Sequence, residues 1–414
     1  MFRRMFVVTL FLFLGVSLIA PRAYAQDGSL RLSYERTLDL ARQRSPDVVI
    51  SKRRAGETRG ALTGARVLVQ QNPIIEGRVG PRTRGRQVVD HDVEIALDFP
   101  LEIYGQRGLR IDAAELAVGR AEILVEESSR RALVEALSAY YRALRAEAQV
   151  TWSNQQASLA EELLRITERR AAAGDVGDLD VRVTRVELAR ARRNARTASA
   201  ERESALAALR IGLGLPAEQE VIIAGGLADA RDRYGDAQAR RATEARPDVR
   251  AAEADVLTAR AELDLEERLA WPNPALRLSY GREEGANVFL AGMAIPLSIF
   301  ERNQGRIAQA EARVARSATE RDFTQLRART EAEAARRRYA LALESLDGFE
   351  ADAIPLLDEN LRLAQRSYET GQTRLTELLT VRREALETRR EYFDAQLEFA
   401  TAGVELQAAL GALR

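Results

Sequence analysis

The chain has no cysteine among its 414 residues, which excludes disulfides, thiol nucleophiles and cysteine metal sites. It has one histidine, His91, so neither a multi-histidine metal centre nor a Ser-His-Asp triad in each half can be built. No catalytic residue, metal site or cofactor is assigned, and an enzyme is not expected. No surplus of positive charge exists either: 62 Lys and Arg face 62 Asp and Glu, which argues against a nucleic-acid partner. Eleven prolines, 6% aromatics and abundant Ala, Arg, Glu and Leu point instead to long helices. The lone lysine, Lys52, reads as coding bias and not as function.

Long apolar runs are also missing, with one exception at the start. Arg3 and Arg4 precede an apolar run from Phe6 to Ile19, and Ala23-Tyr24-Ala25 offers a small-residue cleavage site. Residues 1–25 read as a secretory signal peptide. Its removal leaves 59 basic and 62 acidic residues, formally −3, and no cysteine follows to carry a lipid. No later stretch reaches the ~18 apolar residues of a membrane helix. An exported chain of this kind meets a membrane by another route or not at all.

The chain repeats itself at about 200 residues. Ser45-Pro46-Asp47-Val48 recurs as Arg246-Pro247-Asp248-Val249, and Asn72-Pro73 as Asn273-Pro274, both at offset 201. Phe99-Pro100-Leu101 recurs as Ile295-Pro296-Leu297 at offset 196, and Gly174 as Gly371 at 197. Matches in one order with a single length change read as a tandem duplication. The first unit spans residues 26–225 and the second 226–414.

Each unit reads helix, two strands, long helix, tight turn, helix. Between Leu101 and Pro216 there is no proline, and Leu133, Leu137, Tyr140 and Leu144 recur at helical spacing. A helix from about Gln106 to Ala172 would be about 100 Å long, which suits a coiled coil better than a globular core. Leu379, Leu386 and Phe393 stand seven apart, the coiled-coil period. Pro355 should bend or restart the second long helix. Gly174 and Gly371 fit helix ends, with turns at about residues 174–178 and 371–375 closing one hairpin per unit. Val221-Ile222-Ile223 reads as a short strand and linker.

Four strands are expected at about residues 73–83, 88–101, 274–282 and 288–299. In the second, Asp90, Asp92, Glu94 and Asp98 alternate with apolar residues, a period of two. Such strands fit a transmembrane β-barrel, with lipid on the apolar face and a lumen on the polar one. On the strands alone an ordinary half-buried soluble sheet is the simpler reading, and export, the count of four and the attached long helices turn it toward a barrel. Four strands cannot close a barrel, and an open edge in lipid costs several kcal/mol per unpaired backbone group. A membrane sheet of this size must therefore be completed by other copies.

The duplicated plan, the Asn-Pro strand openings, Phe99-Pro100-Leu101, Ile295-Pro296-Leu297 and the Tyr-x-x-Gly turn from Tyr368 to Gly371 resemble the TolC-like outer membrane efflux proteins. The likeness extends, more loosely, to the branch serving heavy-metal and other resistance pumps. The resemblance implies a mainly α fold with a small β part. Its long hairpins would form a periplasmic α-barrel, and its strands one third of a trimeric twelve-stranded barrel in the outer membrane of a Gram-negative bacterium. It implies a homotrimer in outer membrane lipid, meeting a periplasmic adaptor and an inner-membrane pump. It also implies roles for particular residues. Glu377 would face the pore aperture, with Thr380 where a second acid can follow. Asp180, Tyr368 and Arg374 would belong to the closing contacts of the tips. Gly174, Asp175, Val176, Gly371, Gln372 and Thr373 would meet the adaptor. Asp90, Asp92, Glu94 and Asp98 would line the barrel lumen.

Plainer readings of the same residues stand beside these. Asp175, Asp178 and Asp180 suit a helix N-terminus for its dipole alone. Glu377 suits a solvated surface, and His91 a solvated strand end. The implied function is the passive exit duct of a tripartite efflux system. The alternatives are the exit duct of a type I protein secretion system and a periplasmic coiled-coil adaptor or structural protein. Past the signal, one His, one Met (Met293) and no Cys make soft-metal ligation by this chain unexpected.

Overall fold

The structure, a computed structural model, describes residues 29–84, 86–234, 245–283 and 285–413. The expected signal peptide lies outside the described residues. Strand β1 (Leu30–Leu32) leads into α1 (Tyr34–Arg44), where the Ser33 hydroxyl accepts from the Arg36 N–H at 3.2 Å. The single opening helix expected here is in fact two, because Pro46 cannot continue α1 and instead opens α2 (Pro46–Ala65). The second unit begins the same way, with Pro247 opening α6 (Pro247–Leu269).

The first unit continues through β2 (Ile74–Arg84), β3 (Gln87–Pro100), α3 (Gln106–Ala172), α4 (Asp178–Gly212) and β4 (Val221–Ile223). Short helix α5 (Asp229–Tyr234) precedes α6. The second unit then runs through β5 (Ala275–Glu283), β6 (Ala286–Ala294), α7 (Gln304–Gly348), α8 (Ile354–Glu369) and α9 (Leu375–Ala409). β6 ends before Ile295-Pro296-Leu297, which the sequence pattern had placed inside a strand. At 67 residues α3 is about 100 Å long.

Between α7 and α8, Phe349–Ala353 forms a π-helical turn. There the Ile354 N–H donates to the Phe349 carbonyl five residues back. The wider turn accommodates Pro355 at the start of α8, so the proline restarts the helix.

Both long helices leave the strands through one device. Gly105 (φ 83°) and Asn303 (φ 61°) are left-handed, and Asn303 is the only described non-glycine at positive φ. In each case the glutamine that follows accepts from the residue before: Tyr104 N–H to Gln106 at 3.0 Å, and Arg302 N–H to Gln304 at 2.7 Å. The hairpin helices also end alike. At Gly174 the glycine N–H reaches the Ala171 carbonyl and Asp175 N–H reaches Arg170. Gly214, Gly371 and Gly411 repeat that pair of bonds.

Helix order explains sheet order. In the upper half α2 packs on α3, α3 on α6, and α6 on α7. Each of these helices is fused to one strand, and the antiparallel sheet runs β2-β3-β5-β6. The duplicated units join at its centre, where Val93 to Pro100 of β3 pairs with Arg282 to Ala275 of β5. In the lower half α4 packs on α3, α3 on α9, and α9 on α8. Both layers are open sheets of elements. β2, α2 and α4 form one free edge, and β6, α7 and α8 the other.

The main core lies where the layers meet. Leu133, Leu137, Tyr140 and Leu144 of α3 pack against Leu209, Tyr234, Tyr339, Phe399 and Val404. Burial pushes the Tyr140 phenol up to about 12, so it stays protonated and donates to the Ala224 carbonyl at 2.6 Å. β1 and β4, a parallel pair, tie the chain start to the link between the units.

Candidate functional site

Two places bring the functional candidates together: the polar face of the four-stranded sheet and the hairpin tips. Pairing of β2 with β3 sets Ile75 against Leu97 and Val79 against Val93 on one face. Pairing of β3 with β5 adds Leu276 and Leu278. Ile75, Val79, Val93, Ile95, Leu278, Phe289 and Met293 of this face are exposed apolar side chains. The opposite face carries Asp90, Asp92, Glu94 and Asp98, as the alternation predicts.

These acids do not form a bare acidic wall. Arg82 bonds Asp92 at 3.1 Å and Glu283 at 2.9 Å. Arg78 lies 3.0 Å from Glu76 and 3.7 Å from Glu94. Arg277 reaches Glu76 at 3.1 Å and Asp98 at 3.6 Å. Asp90 accepts from the backbone N–H of His91 at 2.8 Å. Six carboxylates (Glu76, Asp90, Asp92, Glu94, Asp98, Glu283) stand against three guanidinium groups. The face keeps a negative excess laced with cations. Arg78 and Arg82 share the even-numbered parity of the β3 acids, a signal already present in the sequence, whereas Arg277 joins this face through the β3-β5 register.

At the tips, Gly174 (φ 83°) and Gly371 (φ 79°) turn the chain with backbone angles that a side chain disfavours. Gly174, Asp175, Gly371 and Gln372 are exposed, while Val176 and Thr373 are half-buried. Arg374 is exposed at the N-cap of α9, and Glu377 lies in that helix's first turn. Glu377 and Thr380 are both exposed, and among the described residues no ion pair reaches Glu377. The Thr380 hydroxyl donates to the Thr376 carbonyl at 3.0 Å.

Tyr368 is 1% exposed, and its hydroxyl lies 3.0 Å from that of Thr167, which is itself fully buried. Arg170 donates to the Tyr368 carbonyl at 2.8 Å and covers its ring at 5.0 Å. Within the chain, then, Tyr368 fastens α8 to α3. Asp180, half-buried in the first turn of α4, makes no described bond to it. Leu163, Leu375 and Leu378 complete this small core. Thr167 and Arg170 were not singled out from the sequence. Their signal was a buried seam on α3, with Ser153, Gln156, Ala160, Leu163 and Thr167 at alternating steps of three and four.

An open four-stranded sheet, apolar on one face and ion-paired on the other, is continued by long helices, of which α3 is about 100 Å, and so defines an elongated subunit with two unfilled edges. Comparison with known proteins makes the class particular. The profile of the Outer membrane efflux protein family matches residues 37–215 and 239–412, and the chain belongs to that family. It is an exit duct of the tripartite efflux type. The cobalt-zinc-cadmium resistance protein CzcC of Cupriavidus metallidurans is 26% identical over 295 residues, covering 71% of this chain and 69% of that protein. A membrane protein from Pseudomonas aeruginosa shares the fold with a TM-score of 0.72 at 19% identity, over 91% of this chain and 92% of that one. The CmeC outer membrane channel of Campylobacter jejuni does so at 0.71 and 15% identity, over 92% and 85%.

Proposed function

We propose that three copies close the sheet into one twelve-stranded barrel in the outer membrane and the helices into a tube reaching through the periplasm. The observation that carries this is the pair of free edges. Among the described residues β2 and β6 each lack a neighbour on one side, and lipid tolerates no open sheet edge. The helical edges are suited to the same closure. Val49 and Ile50 on α2 and Leu179 and Val186 on α4 are exposed on one side. Phe323 and Leu341 on α7 and Leu356 and Leu363 on α8 are exposed on the other. Joining unlike edges is a heterologous contact that closes a ring.

In this assembly the ion-paired face lines the lumen and the apolar face meets lipid. The negative excess favours cations over anions at loose selectivity. Glu377 contributes one acid per copy at the aperture, with Thr380 a turn above it. Asp180, Tyr368 and Arg374 take part in closing the tips. Gly174, Asp175, Val176, Gly371, Gln372 and Thr373 present the turns to a periplasmic adaptor, itself coupled to an inner-membrane pump that supplies the energy. Tyr368 is already held by Thr167 and Arg170, which supports α3 and α8 moving together at the tip. The likeness to a cobalt-zinc-cadmium resistance protein favours metal cations as cargo. A duct need not ligate what passes through it.

Planar-bilayer recording tests the lumen assignment. A cation-preferring channel is expected from purified protein, with the preference strengthened when Arg82 and Arg277 are changed to glutamine. A channel preferring anions, or one indifferent to these substitutions, would remove this face from the lumen.

A further inference from the structure

The outer face of the sheet changes character along its length. On β5 and β6 the cross-strand pairs run Leu276 with Met293, Leu278 with Ala291, Tyr280 with Phe289, and Arg282 with Asn287. Apolar pairs thus give way to an aromatic pair, with ring centroids 4.6 Å apart, and then to a polar one. A second aromatic pair, Tyr104 and Trp271, stacks at 5.4 Å below the sheet. Nine residues separate Trp271 from Tyr280. Five of those steps, from Ala275 to Tyr280, are strand and rise about 13 Å at about 3.3 Å per residue and a tilt near 40°; the non-strand residues 271–274 add the remainder of the span toward the ~25 Å apolar band of a membrane barrel. Aromatic side chains mark both borders of such a band. Arg282 stands one cross-strand pair beyond the upper border.

Arg282 differs from three other arginines of the four-stranded sheet. Arg78, Arg82 and Arg277 hold carboxylates on the inner face, whereas Arg282 is exposed on the outer face and, among the described residues, has no ion pair or hydrogen bond. Its neighbours are donors. The Tyr280 hydroxyl donates to Asn287 Oδ1 at 3.2 Å, which leaves Asn287 Nδ2 free to donate outward. His91, two residues beyond Val93 on β3, is exposed on the same face. Among the described residues this end of the outer face presents no carboxylate, and Glu284, two positions after Arg282 in the sequence, lies outside the described residues. A guanidinium, an amide N–H and an imidazole above an apolar band form a donor set for a tetrahedral oxyanion at headgroup depth.

We propose that Arg282, Asn287 and His91 bind the phosphate of a phosphorylated lipid in the outer leaflet. The inference rests on the reading that this face meets lipid. Charge complementarity and depth select the occupant: the acyl chains lie along Leu276, Leu278 and Met293 while the phosphate meets Arg282.

The test uses the full mature protein in nonionic detergent. Retention of diphosphoryl lipid A, of the same lipid enzymatically dephosphorylated, and of inorganic phosphate is measured by native mass spectrometry and thermal protection. Diphosphoryl lipid should bind. Its affinity should fall about tenfold or more in R282Q and by a similar factor for the dephosphorylated lipid. R282K should lose less, and inorganic phosphate should give no protection. Equal binding by R282Q, equal binding of the dephosphorylated lipid, or full protection by free phosphate would each overturn the proposal. Bilayer insertion of the wild type and of R282Q is recorded in parallel. Insertion without phosphate discrimination defeats this site alone, whereas a wild type that does not insert defeats the lipid-facing reading beneath it.

Discussion

Arg246 is 1% exposed, an unusual place for a guanidinium, and its replacement by methionine has a calculable consequence. It precedes Pro247 at the start of α6. Its Nε and Nη2 fork onto Asp248 at 3.0 and 2.7 Å, and Nη2 also reaches Glu331 at 2.7 Å. Burial pushes the Arg246 guanidinium down, but the bonds to Asp248 and Glu331 outweigh it and hold the group above its ordinary range. Burial likewise pushes Asp248 up, and Arg246 more than offsets this, leaving its carboxyl below the usual value. R246M fills similar space without charge. Glu331, exposed, returns to water at little cost, but Asp248 is left half-buried with only the Val249 N–H at 3.0 Å as a close donor. Removing one partner of a buried pair costs about 3–5 kcal/mol. The retained N–H bond and the nearby charge of Arg130 place this case at the lower end, about 3 kcal/mol.

The pH dependence follows from the same balance. In the wild type the depressed Asp248 contributes stability above its unfolded pKa, which is lost as pH falls through the lower folded value. In R246M burial, the largest influence on Asp248, outweighs the Val249 N–H and the Arg130 charge that remain, so the folded pKa lies above the unfolded one and the ionised carboxylate destabilises. Protonation relieves that penalty. Thermal unfolding of detergent-solubilised protein should show the full gap between wild type and R246M at neutral pH and a narrowing gap toward acid. The double variant R246M/D248N should be more stable than R246M alone at neutral pH. A gap independent of pH, or a double variant no better than the single, would refute the reasoning.

Gly403 of α9 lies against Tyr234, where an added Cβ would come within 2.5 Å of the ring. Gly403→Ala should cost about 1–3 kcal/mol by denaturant unfolding, although alanine is the better helix former. At the tip, Gly174→Ala meets no neighbour within 4 Å, so its cost is conformational, about 1–2 kcal/mol, and hydrogen exchange should show it as faster opening confined to the turn. Tyr368→Phe removes the bond to Thr167, whose hydroxyl keeps its bond to the Leu163 carbonyl at 2.9 Å. A loss of about 0.5–1.5 kcal/mol is expected, and a double-mutant cycle with Thr167→Val should show coupling of the same order.

Period was easier to read from this sequence than phase. The seven-residue repeat of α9 is real, but its buried residues are Leu378, Ala385 and Phe399, with Tyr392 partly covered. Leu379, Leu386 and Phe393 sit one position later, and Leu386 is exposed. Apolar residues occupy both stripes, so local pattern cannot choose between them; packing of α9 on α3 and α7 does. The strands were legible because apolar and acidic residues largely alternate in β3, and its acids do share one face. Their arginine partners lie on other strands, so only the register shows who pairs with whom. β1 escaped notice because three residues carry no period, and its partner β4 is remote in sequence. Pro355 announced a break, but not that a π-helical turn would accommodate it. At the tips the glycines were plain from sequence. Tyr368 against Thr167 was not, because that contact joins the two duplicated units.

The absence of cysteine gives a clean background for the most direct measurement, single cysteine pairs placed on β2 and β6. These strands are opposite edges of the sheet within one chain, so a cross-link between them reports a neighbouring copy. Oxidised membranes should yield covalent species ending at three chains, with closed rings dominant at the best-matched pairs. Only monomers at every pair along the two edges, from a polypeptide that stays dissolved without detergent, would contradict the three-copy barrel.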